Sequence, residues 1–412
     1  MDIPINLHRM TGELDQLATF SETKPPGVTR IIFTPGDLRA REFLKGKFRE
    51  AGLDVREDAV GNTFARWHGA EPDLPAIGTG SHADAIPNSG RFDGTVGVLG
   101  GLEAIRALQR AGYRPRKPIE LLLFTSEEPT RFGLGCLGSR LLAGVLAPEH
   151  AAMLCDSGGS TLEEVRSAAG FYGQLDEVKL PQAYYEAFIE LHIEQGPTLE
   201  REGTALGIVT DIAAPASMRI IIEGEGGHAG AVLMPQRKDA LTAAAELILS
   251  VETAAMSTGV IDTVATTGIC EVFPGAVNSV PSRVKLELDV RDVEGQRRNV
   301  VLGLIQQASE TIAKKRGVSV RSELLNADPP ASCAPFIIEA LVQSCAEQAC
   351  TQKQMISRAY HDSLFMARIA PVGMLFIPCR GGVSHRPDEY ASPENIADGT
   401  RVLAQTLARL AA

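Results

Sequence analysis

Four short segments hold most of the residues able to do chemistry: SHADAIPNSGRFDG (81–94), FTSEEPTRF (124–132), ELHIEQGP (190–197) and GVSHRPDEY (382–390). Together they offer the imidazoles of His82, His192 and His385 and the carboxylates of Asp84, Asp93, Glu127 and Glu128. Mixed imidazole and carboxylate donors suit Zn²⁺ or Mn²⁺, whereas Ca²⁺ takes oxygen ligands. Any one segment says little, because a lone histidine at a strand end is commonly a hydrogen-bonded structural residue. An adjacent glutamate pair is commonly a solvated surface step. Here, however, Glu127–Glu128 follows an apolar run and precedes Pro129, where a surface pair has no special reason to be. The specific signal is the occurrence of all four segments in this order.

Each segment sits just after, or at the end of, an expected strand. Apolar runs at 77–81, 119–124 (IELLLF), 188–193 (FIELHI) and 372–377 (VGMLFI) read as buried strands, and 96–108 carries apolar residues at helical spacing, closed by Gly112. Strands alternating with helices imply an α/β layer with a largely parallel sheet. In such a sheet the carboxyl ends of the strands converge on the ligand site.

The middle of the chain has a different texture. Val284, Leu286, Leu288 and Val290 alternate with Lys285, Glu287, Asp289 and Arg291, a clear half-buried strand. Strands are also expected near 218–222, 264–272 and 318–320, with helices through Leu241–Leu249 and Val301–Ile312. The order β-α-β-β-α-β is the ferredoxin-like arrangement, so about 212–327 reads as a small α+β domain inserted into the larger one.

Composition limits the rest. The 412 residues favour two or three domains and can bury a large core without metals or disulfides, so a metal site would serve chemistry. A net charge of −11 lacks the basic footprint that nucleic acid requires. Seven cysteines, an odd number with no CxxC pair, suggest a reduced intracellular protein. The opening MDIPINLHRMTGELDQL has no basic stretch followed by an apolar one, and no run approaches a membrane span. A cytoplasmic location is expected.

The order HxD, Asp, Glu-Glu, His, His resembles that of the binuclear metallohydrolases of the M20 amidase and aminoacylase clan. LHIEQGP, GGHAGAVLMPQRKDA and GAVNSVPSRVKLELDVRD are similar to its hydantoinase/carbamoylase branch, which includes allantoate amidohydrolase. FTSEEPTRFG and ISRAYHDSLFMARIAPVGMLFIPCRGGVSHRPDEYASPE resemble most the ureidoglycolate amidohydrolases of that branch. The resemblance covers nearly the whole chain. It implies a metallopeptidase-like α/β catalytic domain with a mixed, mainly parallel sheet over 1–211 and 328–412. An inserted lid and dimerisation domain would occupy 212–327, in a homodimer.

Carried over by position, the resemblance implies two divalent ions per subunit, Mn²⁺ favoured and Zn²⁺ also accepted. Asp93 would bridge them, with His82 and His192 completing one and Glu128 and His385 the other. Asp84 would stand behind His82 and fix its imidazole, and Glu127 would be the general base. In the inserted domain, Arg291 would grip the substrate carboxylate and His228 would steady the oxyanion in the neighbouring subunit's site. Asn278 and Gln195 would be amide contacts to substrate, and His361 lies at a position near it. Carbamoylases commonly have glycine where this chain has Tyr360, whose ring would shrink the pocket and add a hydroxyl donor. The activity implied is hydrolysis of ureido acids, with ureidoglycolate favoured over N-carbamoyl-L-amino acids or allantoate. A catalytically dead binding protein on the same scaffold would be expected to lack the base or a ligand, and all are present.

Overall fold

The four expected strands form the centre of a nine-stranded mixed sheet. Val372–Ile377, Tyr185–Ile193, Ala76–His82 and Ile119–Phe124 lie side by side and parallel. Three of the four are buried at every residue and the fourth at all but Glu186, which explains why they read as continuous apolar runs without alternation. Thr63–Trp67 and Asp54–Glu57 extend one side antiparallel, and Leu206–Ile212 runs antiparallel to Val372–Ile377 on the other. These flanking strands were not expected, being short or weakly patterned.

This computed structural model describes residues 2–412, and they divide into two compact units. The first comprises the residues up to Thr210, Ser332–Ser357 and His361–Ala412. Its sheet is covered by helices that include Thr95–Arg110 and Pro393–Leu410, and Leu7–Ala18 packs on those two helices. Thr95–Arg110 runs along the His82 and His192 strands at very short range. A Cβ on Gly97 would sit 2.4 Å from the Leu191 carbonyl oxygen and 2.6 Å from Ser81 Cβ, so only glycine permits that approach. The helix thereby fixes Asp93, two residues before its first turn, over the carboxyl ends of both strands.

The second unit is Asp211–Ala331 with Arg358–Tyr360. Its four-stranded antiparallel sheet has the order Val264–Phe273, Arg283–Asp292, Ala214–Glu223, Ser319–Ala327. Helices Ala240–Met256 and Gly295–Arg316 bury their apolar faces on it, making a core of Ile220, Ile222, Leu247, Val284, Leu286, Val301 and Ile305 among others. The alternation at 284–290 holds throughout, each apolar residue buried and each intervening one half-buried. The unit runs past the expected boundary of 327 and takes in Arg358–Tyr360, where Arg358 pairs with Asp262. Among the described residues no helix is long and apolar enough to cross a membrane.

Candidate metal centre and active site

The carboxyl ends of the parallel strands bring together the residues from all four segments. His82 is the last residue of its strand, His192 the penultimate residue of another, and Glu127 and Glu128 follow Phe124 by three and four positions. All four are buried, as is Asp93.

The two buried imidazoles are held in the same way. His82 Nδ1 lies 3.1 Å from the Asp84 backbone oxygen and His192 Nδ1 lies 2.9 Å from the Ile193 oxygen. Carbonyl oxygens only accept, so both rings donate from Nδ1 and keep the Nε2 lone pair for another partner. Both Nε2 atoms face Asp93 Oδ1, at 3.7 Å for His82 and 3.0 Å for His192. The other Asp93 oxygen, Oδ2, lies 3.2 Å from His385 Nε2, which is itself 3.2 Å from Glu128 Oε1. One carboxylate thus gives one oxygen to each of two donor groups: His82, Asp93 and His192, and Asp93, Glu128 and His385.

The donors of each group lie within 4.8 Å of one another, as ligands of a single ion must. The electrostatics agree. Burial works against charge on His82 and His192, yet the carboxylates of Glu127 and Asp93 outweigh it and raise both rings. His385 is pushed up to about 11 by Asp93 and Glu128. Burial alone would raise the Asp93 carboxyl, but hydrogen bonds from His192, His385 and His82 hold it well below the usual range. A buried acidic cluster that draws this much positive charge fits two divalent cations.

Glu127 reaches toward the centre, with Oε2 3.8 Å from His82 Nε2. Burial raises its carboxyl well above the usual value, and the neighbouring Glu128 adds to that. The Asp84 carboxylate stands behind His82 as an ion-pair neighbour of its ring. It lies 3.6 Å from His82 Nδ1, beyond hydrogen-bond reach, while the backbone carbonyl of the same residue takes that proton. Its two oxygens instead accept the Glu127 N–H at 3.2 Å and the Glu128 N–H at 3.0 Å. Asp84 therefore ties the glutamate pair to the His82 turn.

Backbone strain collects at the same place. Ser126, Cys136, Gln195 and His385 all have left-handed φ, from 55° to 59°. Non-glycine residues adopt this region at a cost and are held there by their surroundings. Gly94, with φ 65°, is another case, since a Cβ there would stand 2.4 Å from His82 Nε2.

Gln195 donates from Nε2 to Asp93 Oδ2 at 2.7 Å, and its buried Oε1 has no hydrogen-bond partner among the described residues. His361 is buried edge-on to His192, ring centres 4.5 Å apart, with Nε2 3.0 Å from Ser357 Oγ. Sequence reasoning passed over several nearby residues. Cys136 Sγ lies 3.5 Å from Glu127 Oε1. Asp362 accepts from Ser139 at 2.5 Å and is pushed up to about 8 by burial. Ser384 and Glu389 sit beside Asp93. The last two lie within GVSHRPDEY, Ser384 directly before His385 and Glu389 four residues after it.

The second unit makes two smaller groupings of expected residues. Gly227–His228 pairs antiparallel with Ser279–Val280, and the Asn278 carbonyl accepts the Ala229 N–H at 2.9 Å. His228 is exposed, and its Nδ1 accepts the Gly230 N–H at 3.1 Å. The neutral ring therefore carries its proton on Nε2, the form able to donate to an oxyanion. Elsewhere in the unit, the Arg291 guanidinium carbon lies 5.8 Å from the centre of the Tyr360 ring.

Comparison with known proteins agrees with this arrangement. A family model described as peptidase family M20/M25/M40 matches residues 78–409. The chain is similar to the ureidoglycolate hydrolase of Arabidopsis thaliana, 52% identical over 97% of this chain and 86% of that protein. It is 40% identical to the N-carbamoyl-L-amino acid amidohydrolase of Geobacillus stearothermophilus, over 98% of each. The crystal structure of AtUAH in complex with glyoxylate superposes with a TM-score of 0.92 at 51% identity, covering 99% of this chain and 98% of that one. A family match across four-fifths of the sequence, with relatives this similar over nearly their full length, makes the chain a member of the M20/M25/M40 peptidase family and of its amidohydrolases.

Proposed function

We propose that the protein is a binuclear metal-dependent amidohydrolase that cleaves the ureido C–N bond of ureidoglycolate, ending in glyoxylate, ammonia and CO₂. The observation that carries this reading is the Asp93 carboxylate, which turns one oxygen to His82 and His192 and the other to Glu128 and His385. The substrate follows from the similarity to ureidoglycolate hydrolase and from the glyoxylate bound to AtUAH. N-carbamoyl-L-amino acids are the second reading, favoured by the Geobacillus relative.

Urea-type carbonyls are poor electrophiles, and paired divalent ions supply both an acidified water and polarisation of the scissile oxygen. Mn²⁺ is the ion we favour, with Zn²⁺ the alternative for the same donors. Glu127 takes the proton of the attacking water and delivers it to the departing nitrogen. Its burial keeps bulk water from competing for that proton. Asp84, by gripping both glutamate amides, keeps the base and the ligand Glu128 facing the same point. Gln195 steadies Asp93 through Nε2, leaving its unpartnered Oε1 to accept an N–H from the ureido group.

The remaining contacts are assigned to the inserted domain, about 212–327, read as a ferredoxin-like lid that also forms a homodimer. Arg291 holds the substrate carboxylate, Asn278 adds an amide contact, and His228 of one subunit donates from Nε2 to the developing oxyanion in the other. Tyr360 faces the third substituent of the substrate carbon, where a phenol suits the hydroxyl of ureidoglycolate. His361, packed on His192, keeps that ligand in place. We place the enzyme in the cytoplasm. Ammonia release from ureidoglycolate, its loss on chelation and its return with Mn²⁺ test the reading. Full activity in metal-free protein would overturn it.

A further inference from the structure

We propose that Glu389 and Ser384 are positioning residues for the bridging carboxylate, holding Asp93 by its backbone and by its side chain. The inference rests on the metal centre proposed above and concerns residues to which no role has been given. Glu389 is 5% exposed, although a carboxylate four residues after His385 on a loop has no intrinsic reason to be buried. Its Oε1 accepts two consecutive amides, Phe92 N–H at 2.8 Å and Asp93 N–H at 3.1 Å. Its Oε2 lies 2.9 Å from Ser384 Oγ, and that hydroxyl lies 2.8 Å from Asp93 Oδ2. The loop closes tightly over the group, since a Cβ on Gly90 would stand 2.2 Å from Glu389 Cδ.

Asp93 is therefore held by one loop along two routes, Glu389 accepting its backbone N–H and Ser384 donating its one proton to Oδ2. One fixes where its main chain enters the Thr95–Arg110 helix. The other fixes the rotation of its side chain, which decides whether its two oxygens face the two donor groups. Ser384 immediately precedes His385, so the same loop delivers a ligand and the hydroxyl that orients the shared carboxylate. Groups behind a metal ligand that set its orientation are commonly worth 10- to 100-fold in affinity.

The test is calorimetric titration of Mn²⁺ into metal-free protein, with melting of the metal-free form measured alongside. Wild type is expected to bind two ions per subunit. Glu389→Ala should weaken binding about 10-fold or more. In Glu389→Gln the amide oxygen still accepts both N–H groups and the amide nitrogen donates to Ser384, so affinity should return to within a few-fold of wild type. Ser384→Ala removes only the side-chain route and should weaken binding by less than Glu389→Ala, leaving the metal-free melting temperature unchanged. If Glu389→Ala does not fold, Ser384→Ala decides the matter. Wild-type affinity in Ser384→Ala, or in folded Glu389→Ala, would overturn the proposal while leaving the metal centre standing. Failure of wild type to bind Mn²⁺ would overturn both.

Discussion

Arg291 spends much of its guanidinium on Asp289, two residues earlier on the same face of the strand: Nε donates to Oδ1 at 2.7 Å and Nη2 to Oδ2 at 3.2 Å. Period-2 geometry puts the two side chains together, and the half-exposed pair holds the arginine in one orientation. Nη1 is directed at the Arg358 carbonyl at 3.4 Å. The residue proposed to bind the substrate carboxylate is thus oriented in advance, and an incoming carboxylate competes with Asp289 for it.

Arg291→Ala is expected to raise KM for every carboxylate-bearing substrate, with much less effect on kcat. Losing one partner of a bidentate charge pair typically costs on the order of 3 kcal/mol, or about 100-fold. Steady-state kinetics on ureidoglycolate checks this. An unchanged KM would make the Arg291–Asp289 contact a surface ion pair of the second unit and nothing more.

Glu127→Gln keeps the shape of the side chain and the backbone N–H that Asp84 accepts, but removes the base. Turnover should fall about 10²-fold or more. Metal analysis of the same preparation should still find two ions, since the five proposed ligands are untouched. Loss of an ion together with activity would make Glu127 a ligand instead.

Metal affinity should rise with pH. Asp93 and Glu128 raise the His385 imidazole of the metal-free centre to about 11, so near neutrality this ring holds a proton that an incoming ion must displace. The sign for folding runs the other way. The stability that protonated His385 gives the metal-free protein is present in full below its unfolded value of about 6.5 and is lost as pH rises through about 11. Calorimetry at pH 6.5 and pH 8 in buffers of different ionisation enthalpy should show proton release and tighter Mn²⁺ binding at the higher pH. Equal affinity at both would contradict the assignment of the imidazoles as ligands.

His228 is exposed on a short two-stranded ribbon of the second unit, poised to donate from Nε2. If it serves the neighbouring subunit, mixing inactive His228→Ala with inactive Glu127→Gln subunits should restore part of the activity, because a mixed dimer holds one intact composite site. No recovery after confirmed subunit exchange would place His228 outside the partner's site.

The centre was legible in the sequence for a physical reason. Strands buried on both faces read as apolar runs, and polar residues at their carboxyl ends stand out against them. Thus 119–124 leads directly to Glu127, and 188–193 contains His192. Residues that act through the backbone leave no such mark. Nothing in the letters around Asp84 shows that its carboxylate serves two amides 43 and 44 positions away, or that Glu389 serves amides nearly 300 positions away. The left-handed turns at Ser126 and Gln195 are equally silent, because tertiary contacts impose them on residues with no preference for that region. Helix Pro393–Leu410 was not expected, and its place against the Thr95–Arg110 helix depends on the whole fold.

The account stands most directly on a substrate comparison. All candidate substrates share a ureido group and a carboxylate on one carbon, so the metal centre and Arg291 cannot separate them, and discrimination falls to what meets the third substituent. A site built around a hydrogen bond to a hydroxyl rejects analogues that lack it far more strongly than an apolar pocket does. Ammonia release by the Mn²⁺-loaded enzyme, measured on ureidoglycolate, allantoate and N-carbamoyl-L-methionine, should show the highest kcat/KM for ureidoglycolate and none of the activity after chelation. A higher kcat/KM for N-carbamoyl-L-methionine would contradict the substrate proposed here, and activity that survives complete metal removal would contradict the mechanism.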